Sequence, residues 1–133
     1  MGSVNPLLGR SVLIVEDEPL IALELHDALH KAGATSILAA TTIKEALALI
    51  ARAQICAAIV NVKLGGQDCS SVCDGLAKRS IPFMYYTGYS RADALSVWLN
   101  VPPVDKPAAG TTLVDVIVQL LPSREVAVAT AAL

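Results

Sequence analysis

The chain alternates short apolar runs with longer stretches in which apolar residues recur every three or four positions. SVLIVE (11–16) is rich in Val and Ile and reads as a buried strand. From Leu20 to Ala32, the residues Ile21, Leu25, Ala28, Leu29 and Ala32 fall on one helical face. Pro19 suits the first turn of that helix and Gly33 its end. SILAA (36–40) is a second strand, and Thr42 with Glu45 makes a capping-box pattern that opens a helix to about Ala53. CAAIV (56–60) is the third strand, LGG (64–66) marks a turn, and a helix is expected from about Ser71 to Arg79. IPFMYYT (81–87) is the fourth strand, with Pro82 near its start, where proline is tolerated. Ser90 can cap a short helix through Leu99, and VPPVDKP (101–107) holds a very short fifth strand. Thr111 or Thr112 starts a last helix that runs to Leu121, where Pro122 ends it.

Strand followed by helix, five times over, predicts an α/β fold: a doubly wound parallel sheet of five strands with helices on both faces. Residues 1–10 read as a flexible arm, 11–122 as the domain, and 123–133 as a frayed tail. In this class ligands sit beyond the carboxyl ends of the strands, where strand order reverses.

The 133 residues suffice for one domain with its own core. A hydrophobic content of 54% suits strands covered on both faces, because no apolar run approaches the roughly 18 residues of a membrane span. A formal net charge of -2 offers no footprint for nucleic acid or an anionic membrane. The three cysteines, Cys56, Cys69 and Cys73, form an odd set without a secretory leader, which predicts reduced thiols in a cytoplasm. Cys69 and Cys73 are four apart, not a CxxC redox spacing, and read as buried thiols. His26 and His30 share a helix face without an evident third ligand. There is no phosphate-binding glycine loop, and Ser70, Ser71 and Ser90 have no partnered base, so no enzyme activity is expected.

Chemistry-bearing residues gather instead at the strand ends. Strand one ends in Glu16, Asp17 and Glu18; strand three in Asn61, with Lys63 two beyond; strand four in Thr87 and Gly88; strand five in Asp105, Lys106 and Pro107. Carboxylates, an amide, a hydroxyl and two lysines are thus brought to one rim.

VLIVEDEP (12–19), IVNVKLGG (59–66), YYTGY (85–89) and DKP (105–107), in this order and spacing, resemble the receiver domain of a two-component response regulator over nearly the whole chain. The segment YYTGY is also similar to a single-domain subgroup whose fourth strand ends in Phe-Ala-Thr-Gly, although two tyrosines stand where Phe-Ala would be. The resemblance implies a flavodoxin-like strand order 2-1-3-4-5. It implies an acidic pair for Mg²⁺ at Glu16 and Asp17, a further metal ligand from the backbone of Lys63, and a phosphoacceptor position at Asn61. It also implies a phosphoryl pocket of Thr87, Gly88, Lys106 and Pro107.

Asn61 departs from that pattern. Acceptance of a phosphoryl group needs a carboxylate oxygen as nucleophile, and an amide oxygen is neutral. The expectation is therefore a receiver acting as a protein-interaction module that is not phosphorylated at Asn61. The alternative is an ordinary phospho-accepting receiver carrying an engineered Asp-to-Asn change there. Mg²⁺ is expected to bind weakly or not at all, since one carboxylate is lost. Lys63 either reaches back to neutralise Glu16 or Asp17, or points to solvent. The aromatic switch position three before the lysine is Pro103, which has no rotamer to flip. The resemblance also implies partners such as a histidine kinase, a phosphotransferase or another receiver, and a face including Val97, Trp98, Val101 and Val104 that is a candidate interface, for instance of a homodimer.

Overall fold

A computed structural model describes residues 5–87 and 101–122 of the chain. Along it run β1 (Ser11–Val15), α1 (Pro19–Lys31), β2 (Ser36–Ala40), α2 (Ile43–Arg52) and β3 (Ala57–Val60). A hairpin of β4 (Lys63–Leu64) and β5 (Gln67–Asp68) follows, then α3 (Ser70–Lys78), β6 (Phe83–Thr87), β7 (Pro103–Asp105) and α4 (Gly110–Leu120). Five strands pair in parallel in the order β2-β1-β3-β6-β7, the flavodoxin-like arrangement that the resemblance implied. The helix expected over 90–99 lies outside the described residues.

The strands read as unbroken apolar runs because both faces of the sheet are covered. Alternate side chains go to opposite sides. Leu13, Val15, Ala58, Val60, Phe83 and Tyr85 pack toward α2 and α3, with Ala46, Ile50, Val72, Cys73 and Leu76. Val12, Ile14, Ala57, Ile59, Met84 and Tyr86 pack toward α1 and α4, with Leu25, Leu29, Leu113 and Ile117. On this second side a Cβ placed on Gly110 would lie 2.9 Å from the Cβ of Ala28, so the close approach of α4 to α1 uses the missing side chain.

Thr42 caps α2 by accepting from the Glu45 backbone N–H at 3.1 Å. The Glu45 carboxylate accepts from the Thr41 hydroxyl at 2.7 Å and its backbone N–H at 3.0 Å, one residue earlier than a standard capping box. These bonds, the Thr41 hydroxyl foremost, hold the Glu45 carboxyl below its ordinary range.

One local reading is sharpened and two are corrected. The turn at LGG is the tip of a hairpin in which Gly65 (φ 53°) and Gly66 (φ 82°) take the two left-handed positions such a two-residue loop needs. Of the arm expected over 1–10, residues 5–10 are described, and Leu7 there is fully buried, with its backbone N–H bonding the carbonyl of Ala32 at 3.0 Å. Val101, expected on an exposed interface, is buried in the α2–α3 side of the core, and Val104 packs partly buried against the other side. Val97 and Trp98 lie outside the described residues.

Candidate functional site

The carboxyl ends of β1 and β3, with the first turn of α1, the β4–β5 hairpin and the turn after β7, enclose a cleft of about 370 Å³ lined by Glu16, Asp17, Glu18, Ile21, Asn61, Lys63, Gly66 and Lys106. Parallel pairing of β1 with β3 sets the positions: the backbone N–H of Asn61 bonds the Val15 carbonyl at 2.9 Å, which carries residue 61 alongside the Glu16–Asp17 turn.

Glu16 is only 2% exposed, and a buried carboxylate is costly unless paired and hydrogen-bonded. Its partner is Lys106, whose ammonium lies 2.7 Å from Glu16 Oε1. The other oxygen, Oε2, accepts from the Glu18 backbone N–H at 3.1 Å and from Asn61 Nδ2 at 3.0 Å. The same amide nitrogen donates to Asp17 Oδ1 at 3.3 Å, and Asp17 Oδ2 accepts from the Gly65 backbone N–H at 2.9 Å. The bond from Gly65 is the main reason the Asp17 carboxyl is held below the usual carboxylate range. Each carboxylate oxygen of the acidic pair therefore already accepts an N–H from the chain itself.

Asn61 is what makes this possible. An amide NH2 has two donors and can serve two carboxylates, whereas an aspartate here would add a third negative charge. Turned the other way, the amide would set its oxygen against both carboxylates. The chosen orientation leaves Asn61 Oδ1 buried without a hydrogen-bond partner among the described residues.

Lys106 is held from both sides. Its backbone N–H bonds the Thr87 carbonyl at 2.9 Å, the peptide bond to Pro107 is cis, and its ammonium lies 5.6 Å above the centroid of the Tyr86 ring. The Tyr86 hydroxyl accepts from the Ala108 backbone N–H at 3.0 Å, which fixes the chain just beyond Pro107. Tyr86 was noted in the sequence only as one of two tyrosines in YYTGY and not as a site residue; the available signal was its place directly before Thr87 in a buried strand.

Of the other residues expected at the rim, Thr87 is fully buried at the end of β6, and Gly88 lies outside the described residues. Lys63 lines the cleft and stands opposite Asp68 in the β4–β5 ladder. The Asp68 carboxyl is held low chiefly by the Ser70 hydroxyl at 2.5 Å, with Lys63 adding attraction. The Lys106 ammonium is the one that bonds Glu16 Oε1. Pro103 starts β7. His26 and His30 stack on α1 with ring centroids 6.4 Å apart, and no group of three metal-ligating side chains occurs among the described residues. No described helix is long and apolar enough to cross a membrane.

No family model and no curated protein matches the chain. Solved structures do. SdrG from Sphingomonas melonis Fr1 is 37% identical, with 84% of this chain and 95% of that one aligned at a TM-score of 0.74. A response regulator receiver protein from Sinorhizobium medicae WSM419 is 19% identical, with 84% and 93% aligned at a TM-score of 0.76. The receiver domain of the sensor histidine kinase PA1611 from Pseudomonas aeruginosa PAO1, solved with a magnesium ion in its active site cleft, is 18% identical, with 86% and 98% aligned at a TM-score of 0.74. With the strand order, the acid–lysine rim and these likenesses together, the chain belongs to the response regulator receiver (CheY-like) family.

Proposed function

We propose that this receiver signals by association with a protein partner and is not phosphorylated at residue 61. The observation that supports the reading is the Asn61 amide, which donates to both Glu16 and Asp17; by the family resemblance residue 61 takes the acceptor position. Phosphoryl transfer to a receiver forms a bond from an anionic carboxylate oxygen to phosphorus. Asn61 has no such oxygen, and the atom nearest in role, Oδ1, is neutral.

Magnesium, which the family implies, would be held by Glu16, Asp17 and the Lys63 backbone and would supply positive charge beside an incoming phosphoryl group. The residues as arranged do not fit it. A hard dication needs carboxylate oxygens free to coordinate, and here Lys106, Asn61, Glu18 and Gly65 already occupy them with N–H donors. The chain's own ammonium and amide neutralise the acidic pair in place of a metal. A rim settled in this way holds one arrangement, so output depends on which partner binds it. By the family likeness, the partner class is a histidine kinase, a phosphotransferase or another receiver.

The test is intact mass after incubation with Mg²⁺ and a small acyl phosphate. The wild-type chain should gain nothing, and Asn61→Asp should gain one phosphoryl group. A stable phosphoryl adduct on wild-type Asn61 would overturn the reading. Failure of both chains would leave Asn61 as only one of the disabling features and point next to the Lys106–Glu16 pair.

A further inference from the structure

On the side of the sheet facing α2 and α3, three reactive side chains meet in the core. Cys69 Sγ lies 3.6 Å from Cys73 Sγ, and Cys73 Sγ lies 3.6 Å from the Tyr85 hydroxyl. Four residues is the wrong spacing for a CxxC motif, but on a helix it sets the two side chains one above the other. Cys69 is the N-cap residue of α3, so Cys73 stands one turn inside it. Cys69 takes N-cap torsions (φ -95°, ψ 17°) outside the regular helix, where Cβ atoms four apart lie about 5–6 Å from each other, and its sulfur already lies 3.6 Å from that of Cys73. Cys56, half-buried at the start of β3, accepts from the Ser11 backbone N–H at 3.4 Å and belongs to neither contact.

We propose that Cys69 and Cys73 are a dithiol that hydroperoxides oxidise to an intrahelical disulfide in the first turn of α3. The first thiolate to meet hydrogen peroxide takes one oxygen to become a sulfenic acid, and one water leaves. The second sulfur then attacks the first, the S–S bond forms, and the hydroxyl leaves with the second thiol's proton as another water. Two electrons and two hydrogens pass from the thiols to the peroxide, so two thiols and one peroxide become one disulfide and two waters.

Two features favour this pair over an ordinary buried one. The contact with Cys69 holds the Cys73 thiol below its usual value, and Tyr85 acts in the same sense; the same contact, with burial, pushes Cys69 up. Of the two sulfurs, Cys73 is therefore the easier to ionise and Cys69 the harder. Access comes through the β4–β5 hairpin. Its strands are two residues each, Gly65 to Asp68 are exposed, and the Cys69 backbone N–H hangs from the Val62 carbonyl at 3.0 Å. Such a short exposed hairpin is among the first elements to open, and its opening uncovers Cys69.

The experiment treats the folded full chain with a small excess of hydrogen peroxide, alkylates the remaining thiols under denaturing conditions and maps the peptides. The expected product is lighter by two hydrogen atoms, alkylated at Cys56 alone, with a peptide linked internally between Cys69 and Cys73. Cys56→Ser should behave the same, while Cys69→Ser and Cys73→Ser should lose the mass change. Reduction with a dithiol should restore all three alkylations. Alkylation at all three sites after peroxide, or gain of oxygen at separate sulfurs without the linked peptide, would overturn the proposal. So would a linked peptide that appears only in urea concentrations that unfold the chain.

Discussion

Tyr85 and Tyr86 are neighbours in β6, and they face two different chemistries. Tyr85 turns toward α2 and α3, where its hydroxyl meets a thiol and desolvation pushes its own ionisation upward. Tyr86 turns toward α1 and α4, where its ring lies under Lys106 and its hydroxyl holds the Ala108 backbone. One side of the sheet carries a neutral, soft cluster with weak donors. The other supports a charged rim in which nearly every polar atom has a partner. The period-2 alternation of one strand separates them, so a substitution can disturb one and spare the other.

The largest effect should come from the charged side. Lys106→Met leaves Glu16 buried without its ammonium, and a broken buried pair costs about 3 kcal/mol; a urea titration should show the midpoint fall accordingly. Asn61→Asp replaces a donor shared by two carboxylates with a third carboxylate. We expect a loss of about 2 kcal/mol without divalent cations, recovered on adding Mg²⁺. A variant at position 61 that is insensitive to Mg²⁺ would show that the amide does not substitute for the metal.

The tyrosines give the smaller and sharper contrast. Tyr86→Phe leaves the Ala108 N–H without its acceptor and should cost about 1 kcal/mol. Tyr85→Phe removes only a bond to a thiol, a weak partner, and should cost about 0.5 kcal/mol or less. Equal losses from the two would erase the distinction between the faces. The smallest effect is on pH dependence. Asp17 is held below its ordinary 3.8, so its contribution is full above that value and is lost as pH falls through the lower folded value. Asp17→Asn should therefore flatten the acid limb of stability and leave the neutral region's shape unchanged.

The strands were legible as short apolar runs bounded by turn residues, their order came only from the family resemblance, and the Thr42–Glu45 cap followed from residue type and spacing. Less legible were features that depend on atoms brought together from far apart. The β4–β5 hairpin was visible only as its two glycines, since strands of two residues carry no periodicity. Val101 looked like a surface residue because its neighbours in sequence are apolar too; only the packing of α2 and α3 makes it core. At the rim, the residue types Glu16, Asp17, Asn61 and Lys106 were readable at strand ends. Which lysine neutralises the buried glutamate was not, because Lys63 and Lys106 differ in reach rather than in chemistry. Tyr86 was missed for a related reason: in sequence it is one of two identical residues, and pleating alone decides which supports the lysine.

The central claim is that Asn61 and Lys106 satisfy the acidic pair and leave little for a metal. Calorimetric titration of Mg²⁺ into the wild-type chain and into Asn61→Asp tests it most directly. The account predicts no saturable binding by wild type at concentrations where the aspartate variant binds. Micromolar binding by the wild-type chain would contradict it.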